Sequence, residues 1–508
     1  MARCILLHVN QGRAAEARQF LDRLRQQVTT AALWQSRYTA KLPQDEITAR
    51  KPDVAINVAF TFPGLVALGV PIRTLRGMPD EFQEGMLRRA PILQDVHDPH
   101  QPITQLWDSI WVAELQDQHR CVHVLISLYA NASPRQFDSP QAALDATYQQ
   151  LANQCGEDRG MKILRGHRGP SDAYQDMAVL DDPLKEHFGF SDAISEPVFA
   201  GQYADEQRLQ EEVLGQGKLT TNQKWVPLAT GEFLLGYADE AQEIPGAAMP
   251  NDFSRNGTFM AYRKLHQNVQ AFHNYIEQKA ELYARIHSLS KQEASETLRA
   301  KMVGRWSDGI PLMHASTYGQ WQAERAGLAA MPDEQREIYQ RRMLRQFSYG
   351  DDLDGSCCPF SSHLRRSNPR DMLDPTAKGT STTVLNNRRR ILRRGLPYGQ
   401  SGPGISDQEE HGILMLVVCA SLFRQFEFIQ QQWLQYGLDF NSGNDTCPLV
   451  GNHGDQAKFV IEATAASGKP PFICDRMPQF VEVRGGAYFF IPSMTALRLI
   501  AQGLVDPT

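Results

Sequence analysis

The order of strand-like and helix-like segments in the first half of the chain is the feature that most constrains the fold. The runs CILLHVN, DVAINVAF and CVHVLISLYA are rich in β-branched and apolar residues and have the length of strands. Helical periodicity is present from Ala14 to Gln27 and from Pro140 to Asn153, and MKILRGHRG predicts a further strand. The stretch from Asp172 to Gly201 is polar and interrupted by prolines, which predicts a long functional loop.

The second half contains the same kinds of segment. GEFLLGYAD predicts a strand, residues Phe259 to about Ala284 a long helix, GILMLVVCASL a buried strand and RQFEFIQQQWLQ a helix. VEVRGGAYFFIPS predicts a hairpin with its turn at Gly485-Gly486. Because strands and helices mix without strict alternation, the sequence favours an α+β architecture with antiparallel sheets over a parallel doubly wound sheet.

The bulk properties narrow the class of protein. A chain of 508 residues with 42% apolar residues can bury a large core in more than one domain. Its formal charge of -6 argues against nucleic acid as a partner, and no apolar run approaches the length of a membrane helix. The eight cysteines form no CxxC pair and the start lacks a long apolar signal region, so we expect reduced thiols and a cytoplasmic location.

The segment DGSCCPFSSHLRRSNPRD, Asp354 to Asp371, places His363 among small residues beside three arginines. The chain has no HExxH, no Cys/His quartet with zinc spacing and no EF-hand loop, so a conventional zinc or calcium site is unsupported. A single histidine is often a surface or core residue, but one axial histidine is sufficient to hold a heme iron. Since CxxCH is absent, such a heme is predicted to be noncovalent.

A second basic run, RRRILRRGLPYG, extends from Arg388 to Gly399. It is compatible with a solvated charged face or a nucleic-acid patch. The order of residues 391–397, however, mixes apolar and charged side chains as in the wall of a pocket. Arginines in such a wall could bind the propionates of a heme through paired hydrogen bonds.

The loop GFSDAISEP, Gly189 to Pro197, contains Asp192. An aspartate here could form a simple Asx turn or a helix N-cap. Alternatively it could act as an acid and base, because cleavage of hydrogen peroxide on iron requires a proton to move between the two oxygens and a positive group to stabilise the departing charge. Asp192 together with Arg393 would supply both groups.

Taken together, these segments resemble the dye-decolorizing peroxidase family of heme peroxidases, in its longer bacterial and fungal type. GFSDAISEP resembles the GxxDG loop of the family, CPFSSHLRRSNPRD its proximal-histidine segment and RRRILRRGLPYG its distal-arginine segment. GEFLLGY, NGTFMAYRKLHQNV, MVGRW, RQFEFIQQQW and VRGGAYFFIPS resemble further family blocks in the family's order. The resemblance implies a dimeric α+β barrel of two ferredoxin-like halves, predicted at residues 1–215 and 216–508, with noncovalent heme b in the second.

The resemblance also implies roles for individual residues. His363 matches the iron ligand, and Asp192 and Arg393 match the catalytic pair. Arg365, Arg366 and Arg393 are predicted to contact the cofactor. The implied reaction reduces hydrogen peroxide and oxidises dyes or phenolic compounds by single-electron steps, so the expected partners are peroxide, an aromatic or dye-like reductant and further copies of the chain in a homo-oligomer.

Departures from the family pattern leave a second interpretation, a heme-binding or heme-handling protein with little turnover. Ala193 replaces the last glycine of GxxDG, and an alanine with positive φ there would cost about 1 kcal/mol and could displace Asp192. Phe423 and Cys447 stand where many relatives have a glutamate and an aspartate, either of which could support the proximal histidine. Glu427 or Asp445 could substitute for them.

The family is thought to pass electrons through surface tyrosines or tryptophans. Trp306, Trp321 and Trp433 lie in the second half of the chain, but we interpret them as core packing.

Overall fold

The computed structural model describes residues 1–31, 51–95, 100–374, 376, 379–402, 404–463 and 468–504. Within these ranges, no helix is both long and apolar enough to span a bilayer.

The first half of the chain contributes four strands in the order β4-β1-β3-β2 to the main sheet. These strands are β1 (Ala2–Val9), β2 (Val54–Phe60), β3 (Val124–Ala130) and β4 (Met161–Ile163). Neighbouring strands are antiparallel, and the helices Ala14–Arg25 and Pro140–Ala152 lie between β1 and β2 and between β3 and β4 in the sequence. This order of elements is that of a ferredoxin-like unit.

The second half repeats the pattern. The remaining strands are β5 (Gln175–Met177), β6 (Lys218–Leu219), β7 (Trp225–Val226), β8 (Thr258–Gln267), β9 (Leu392–Gly399), β10 (His411–Cys419), β11 (Lys458–Ile461), β12 (Phe472–Asp475) and β13 (Val481–Ile491). Four of them are neighbours in the sheet in the order β13-β8-β10-β9, and neighbouring strands are antiparallel. As in the first half, the first strand of the unit in the sequence, β8, lies next to the last, β13. The predicted α+β fold of two ferredoxin-like halves is therefore confirmed.

A single residue pair, Phe60 with Phe490, joins β2 to β13 and makes one sheet from the two halves. At the other end, β5 pairs with β1, and the amide of Ala178 donates to the carbonyl of Pro397 on β9 (2.9 Å). The halves thus contact each other at both edges. The predicted boundary after residue 215 stays a prediction.

Helices cover the faces and ends of the sheet. The α-helices are Ala14–Arg25, Phe62–Ala67, Ile72–Leu75, Asp80–Glu84, Met86–Leu93, Ile103–Leu106, Ser109–Val112, Pro140–Ala152, Glu206–Glu212, Asn251–Ser254, Val269–His287, Lys291–Val303, Tyr318–Ala330, Asp333–Arg345, His363–Ser367, Val384–Asn387 and Met494–Gln502. Short 3-10 turns occur at Ala113–Leu115, Gln118–Arg120, Thr230–Glu232, Tyr349–Asp351 and Leu438–Phe440. Leu422–Glu427 and Ile429–Leu434 form wide π-helical turns where a helix is predicted.

Three predicted elements are wrong. The segment that begins at Phe259 lies in the strand β8, and the helix begins only at Val269. The prediction took the alternating side chains of the strand for one face of a helix. Gly485 and Gly486 do not turn a hairpin but lie in β13, where a bulge shifts the register after Val483. GEFLLGYAD is irregular apart from the turn Thr230–Glu232.

Two large clusters of buried residues form most of the hydrophobic core. One packs the first half against strands of the second, and the other surrounds the helix Val269–His287. On the strands of the second half, odd-numbered residues that share one face of the sheet line a cavity. The fold thereby places a pocket on the second half.

Candidate active site

The cavity has a volume of about 350 Å³ and lies between the second-half sheet, the loop Gly189–Pro197 and the segment around His363. Its sheet wall consists of alternate residues of four neighbouring strands, namely Arg263, Leu265, Gln267, Ile391, Arg393, Ile413, Met415, Val417, Val481 and Val483. Alternation of side chains along a strand explains why residues two apart share this wall. Most of the wall is apolar, as in sites that bury a large planar or apolar ligand.

His363 lines the cavity from the first position of the short helix His363–Ser367. The helix ends at Asn368 because the following proline disfavours a helical conformation for the residue before it. Leu364, Leu434 and Leu449 line the cavity as well. The histidine is thus a polar side chain in a largely apolar wall.

The Nδ1 atom of His363 contacts the sulfur of Cys447 (3.3 Å). Burial by itself would raise the pKa of the Cys447 thiol, but the imidazole of His363 and the guanidinium of Arg366 outweigh burial and hold this pKa below its ordinary value. Cys447 therefore contacts the histidine that is predicted to bind the iron.

Asp192 and Arg393 also line the cavity, and their side chains form an ion pair. Arg393 projects from β9, and Asp192 lies in the loop, where its amide donates to the carbonyl of Leu184 (2.8 Å). Burial would raise the pKa of Asp192, but the charge and hydrogen bond of Arg393 and the amide of Ala193 outweigh it and lower the pKa. Asp192 is therefore ionised at neutral pH and can accept a proton.

Ala193 adopts φ = +56°, the left-handed conformation that the glycine of GxxDG would accommodate without strain. Its amide donates to the Asp192 side chain (2.7 Å), so the carboxylate is held in place despite the alanine. The same loop is anchored by the buried carboxylate of Glu186, which accepts hydrogen bonds from the amides of Phe188 and Phe190 (2.9 and 2.8 Å).

Two of the predicted cofactor-contacting arginines do not line the cavity. Arg365 is buried in an ion pair with Asp352 (2.7 Å) and donates to the carbonyl of Cys358. Arg366 is buried too and donates to the carbonyls of Trp433 and Asp445 (3.0 and 2.8 Å) and to other neighbouring oxygens. Both side chains hold the proximal segment together, and the structure brings only His363, Asp192 and Arg393 of the predicted site residues into the cavity.

Besides Arg393 and Arg263, which is paired with Asp95, three more arginines line the cavity: Arg305, Arg370 and Arg390. Each is buried and donates only to backbone carbonyls, and none forms an ion pair with a carboxylate among the described residues. Burial, together with the charge of Arg370, lowers the pKa of Arg390 to about 9 and that of Arg305 to about 10. The cavity therefore presents three uncompensated positive charges, which favour an anionic ligand.

The two acidic residues that could have replaced the missing proximal carboxylate lie elsewhere. Glu427 accepts hydrogen bonds from Arg89 (2.6 and 2.7 Å) and Tyr488 (2.7 Å), and Asp445 pairs with Lys458 (3.0 Å). Neither contacts His363.

Phe423 does not line the cavity, and its side chain is 61% exposed. The predicted role of three tryptophans as core residues is confirmed, since Trp306, Trp321 and Trp433 are all buried in hydrophobic clusters.

The fold and the cavity define a class: a protein of two ferredoxin-like halves that presents one histidine, the Asp192–Arg393 pair and several buried arginines to a mainly apolar pocket. No family model matches the chain. The chain is similar to peroxidase 2 of Mycetinis scorodonius, with 28% identity over 89% of this chain and 77% of the relative. It is also similar to the multifunctional dye peroxidase DyP2 of Amycolatopsis sp., with 26% identity over 98% and 92%.

Solved structures show the same fold. A fungal DyP-type peroxidase from Auricularia auricula-judae covers 98% of this chain with a TM-score of 0.70 at 22% identity, and 95% of that structure is matched. A dye-decolorizing peroxidase in complex with 2,6-dimethoxyphenol gives the same values. The resemblance to dye-decolorizing peroxidases that the motifs predict is therefore confirmed along most of the chain.

The residues of the cavity fit a heme. An apolar wall suits the porphyrin, and the three arginines without carboxylate partners suit two propionates. His363 can offer Nε2 to iron because its Nδ1 is the atom that contacts Cys447.

Proposed function

We propose that the protein is a heme-dependent peroxidase that reduces hydrogen peroxide and oxidises dyes or phenolic compounds by single-electron steps. The observation that carries this proposal is the cavity itself, which combines His363, the Asp192–Arg393 pair and three uncompensated arginines. The similarity to named peroxidases supports it, and the phenol complex of one structural relative supports phenols as reductants.

Heme b, bound without a covalent link, is the proposed cofactor, and His363 is its proposed ligand. Arg305, Arg370 and Arg390 are proposed to bind the propionates in place of Arg365 and Arg366. Bound heme would supply the iron that coordinates peroxide and the electrons for its reduction.

The chain's own residues would manage the proton and the charge. Asp192, ionised at neutral pH, would accept a proton from one oxygen of peroxide and return it to the other, which would leave as water. Arg393 stabilises the negative charge that develops on the departing oxygen. Their ion pair holds both groups ready before peroxide arrives.

A second candidate function is a heme-binding or heme-handling protein with little turnover. The contact of His363 with a sulfur in place of a carboxylate favours it, because a carboxylate partner strengthens the ligand histidine and promotes peroxidase chemistry. The two candidates share the cavity and differ only in turnover.

We further propose a cytoplasmic location and a homo-oligomer. Eight cysteines without a disulfide support a reducing compartment. The experiment that tests the function is peroxide-dependent oxidation of an anthraquinone dye and of 2,6-dimethoxyphenol by heme-reconstituted protein. Many turnovers per heme are expected; a Soret band that only bleaches with peroxide would replace the peroxidase by the heme-binding candidate.

A further inference from the structure

We propose that Cys447 is the positioning residue of the proximal histidine, and that its sulfur gives this chain's iron a higher reduction potential than a carboxylate at the same position would. This inference rests on the proposed function, because it takes His363 as the iron ligand. It concerns a residue at which the chain departs from the relatives that it resembles.

Cys447 and His363 make contact through one pair of atoms. Sγ of Cys447 lies 3.3 Å from Nδ1 of His363, and no other hydrogen-bond partner of Nδ1 is present in the described parts of the chain. In heme and metal proteins, the partner of the ring nitrogen opposite the metal fixes the ring orientation and sets how strongly the histidine donates electrons. Here that partner is a sulfur.

The backbone around Cys447 holds the sulfur in place. Its amide donates to the carbonyl of Leu434 (2.7 Å), and its own carbonyl accepts hydrogen bonds from the amide of Gly451 (3.0 Å) and from Nε2 of His453 (2.9 Å). The residue is fully buried at 0% exposure. These bonds fix the backbone of Cys447 and therefore the point from which its sulfur reaches the histidine.

Among the residues that the structure describes, no carboxylate forms a hydrogen bond with Nδ1 of His363. Asp445, two residues away, pairs with Lys458 (3.0 Å), and Glu427 is bonded to Arg89 and Tyr488. The sulfur therefore determines the chemistry at Nδ1 alone.

Sulfur is a weaker hydrogen-bond acceptor than a carboxylate oxygen and forms longer contacts. The 3.3 Å separation compares with about 2.7–2.9 Å for a charged nitrogen-oxygen pair. His363 is consequently drawn less towards the imidazolate form, donates less electron density and stabilises ferric iron less. This comparison takes Nδ1 of His363 as the donor, which leaves Nε2 free for iron, and the sulfur of Cys447 as a thiol acceptor.

The test compares Cys447→Asp, Cys447→Asn and Cys447→Ala with a matched control, Cys419→Ala, which removes another fully buried thiol in β10. The readouts are the iron-histidine stretching frequency of the ferrous protein by resonance Raman spectroscopy and the ferric/ferrous midpoint potential by spectroelectrochemistry. We expect Cys447→Asp to raise the frequency and to move the potential to more negative values. Cys447→Asn separates charge from shape and should leave the potential near that of the unsubstituted protein.

Cys447→Ala should broaden or lower the iron-histidine band, because the ring loses its partner, whereas Cys419→Ala should change nothing. The proposal is overturned if Cys447→Asp and Cys447→Ala both keep the frequency and the potential of the unsubstituted protein. Should Cys447→Asp fail to hold heme, Cys447→Ala decides by itself, since an unchanged band would show that the sulfur does not position the ring. Failure of the proposed function is a different result, namely the absence of a Soret band in the unsubstituted protein.

Discussion

Two groups of buried arginines in the second half differ in whether their side chains line the cavity. Arg365 is paired with the carboxylate of Asp352, and Arg366 donates to three backbone carbonyls and one hydroxyl away from the cavity. Arg305, Arg370 and Arg390 are equally buried, yet donate only to carbonyls and face the cavity. The first group stabilises the fold, whereas the second can bind an anionic ligand in the cavity.

This difference teaches which arginines to assign to the cofactor. A buried charge without a partner costs folding free energy unless a ligand compensates it. The second group should therefore lower the stability of the empty protein and raise its affinity for a heme with two propionates, whereas Arg365, which has its carboxylate, should do neither.

The largest expected effect is on the first group. Asp352→Ala leaves the buried Arg365 without its carboxylate and removes the acceptor of the Cys357 and Cys358 amides, so the free energy of unfolding should fall by about 3–5 kcal/mol. Urea denaturation of the heme-free protein measures this. Asp22→Ala, which breaks the surface pair with Arg25, is the control and should cost less than about 1 kcal/mol. Equal losses in the two variants would remove the distinction.

Arg393 is an intermediate case, because it lies in the cavity but is paired with Asp192. Arg393→Leu should slow the reaction with peroxide about 10²–10³-fold, since it removes the charge that stabilises the departing oxygen. Stopped-flow measurement of the heme absorption with increasing peroxide gives this rate. Heme affinity should be nearly unchanged; a matching loss of affinity would assign Arg393 to the propionates.

The same substitution should shift the pH profile. Asp192 must be ionised to accept the proton, and its lowered pKa keeps it ionised at pH values below its ordinary 3.8, so the activity persists in acid and is lost only as the pH falls through the lowered value. Without the Arg393 charge the pKa of Asp192 rises, and the acid limb of kcat/KM should move to higher pH. An acid limb in the same place in both proteins would show that another group controls it.

Arg390→Met should weaken heme binding about 10–100-fold, corresponding to a charged hydrogen bond of about 1.5–3 kcal/mol. The heme-free variant should be no less stable than the unsubstituted protein, because the substitution removes an uncompensated charge. Heme titration and urea denaturation test the two statements. Arg389→Met is the matched control from the same run, since Arg389 stacks on Phe428 outside the cavity and should not affect heme affinity.

The smallest effect is expected at Ala193. Ala193→Gly relieves the positive φ and should raise the free energy of unfolding by up to about 1 kcal/mol, as measured by urea denaturation. Heme affinity and the rate with peroxide should hardly change, because the amide of residue 193 still bonds Asp192. A large gain in rate would mean that the alanine displaces the carboxylate.

The sequence predicted more of the fold than of the site. Strands such as Ala2–Val9 and His411–Cys419 are continuous apolar runs and were recognised, but β8 was not, because Phe259 to Gln267 mixes buried charges such as Arg263 and Lys264 into its alternation. Their buried partners, Asp95 and Asp108, lie far away in the sequence. Tertiary pairing of this kind overrides local pattern.

For the site, motif resemblance identified His363, Asp192 and Arg393, all of which line the cavity. It could not show which arginines face the cavity. Arg370 and Arg390 occur in the same basic segments as Arg365 and Arg389 and differ from them only in where their side chains point. Direction depends on where a strand or a turn places each side chain, and this requires the three-dimensional structure.

The most direct test of the account is a heme titration of the unsubstituted protein and of His363→Ala, followed by the Soret absorption. The unsubstituted protein should bind one heme per chain with a sharp endpoint and the spectrum of a histidine-ligated heme. His363→Ala should weaken heme binding by more than about 100-fold or abolish that spectrum. Replacing a residue that only hydrogen-bonds to a metal ligand already lowers metal affinity about 10–100-fold, and the loss of the ligand itself should have a larger effect. An unchanged spectrum in His363→Ala, or no binding by the unsubstituted protein, would contradict the account.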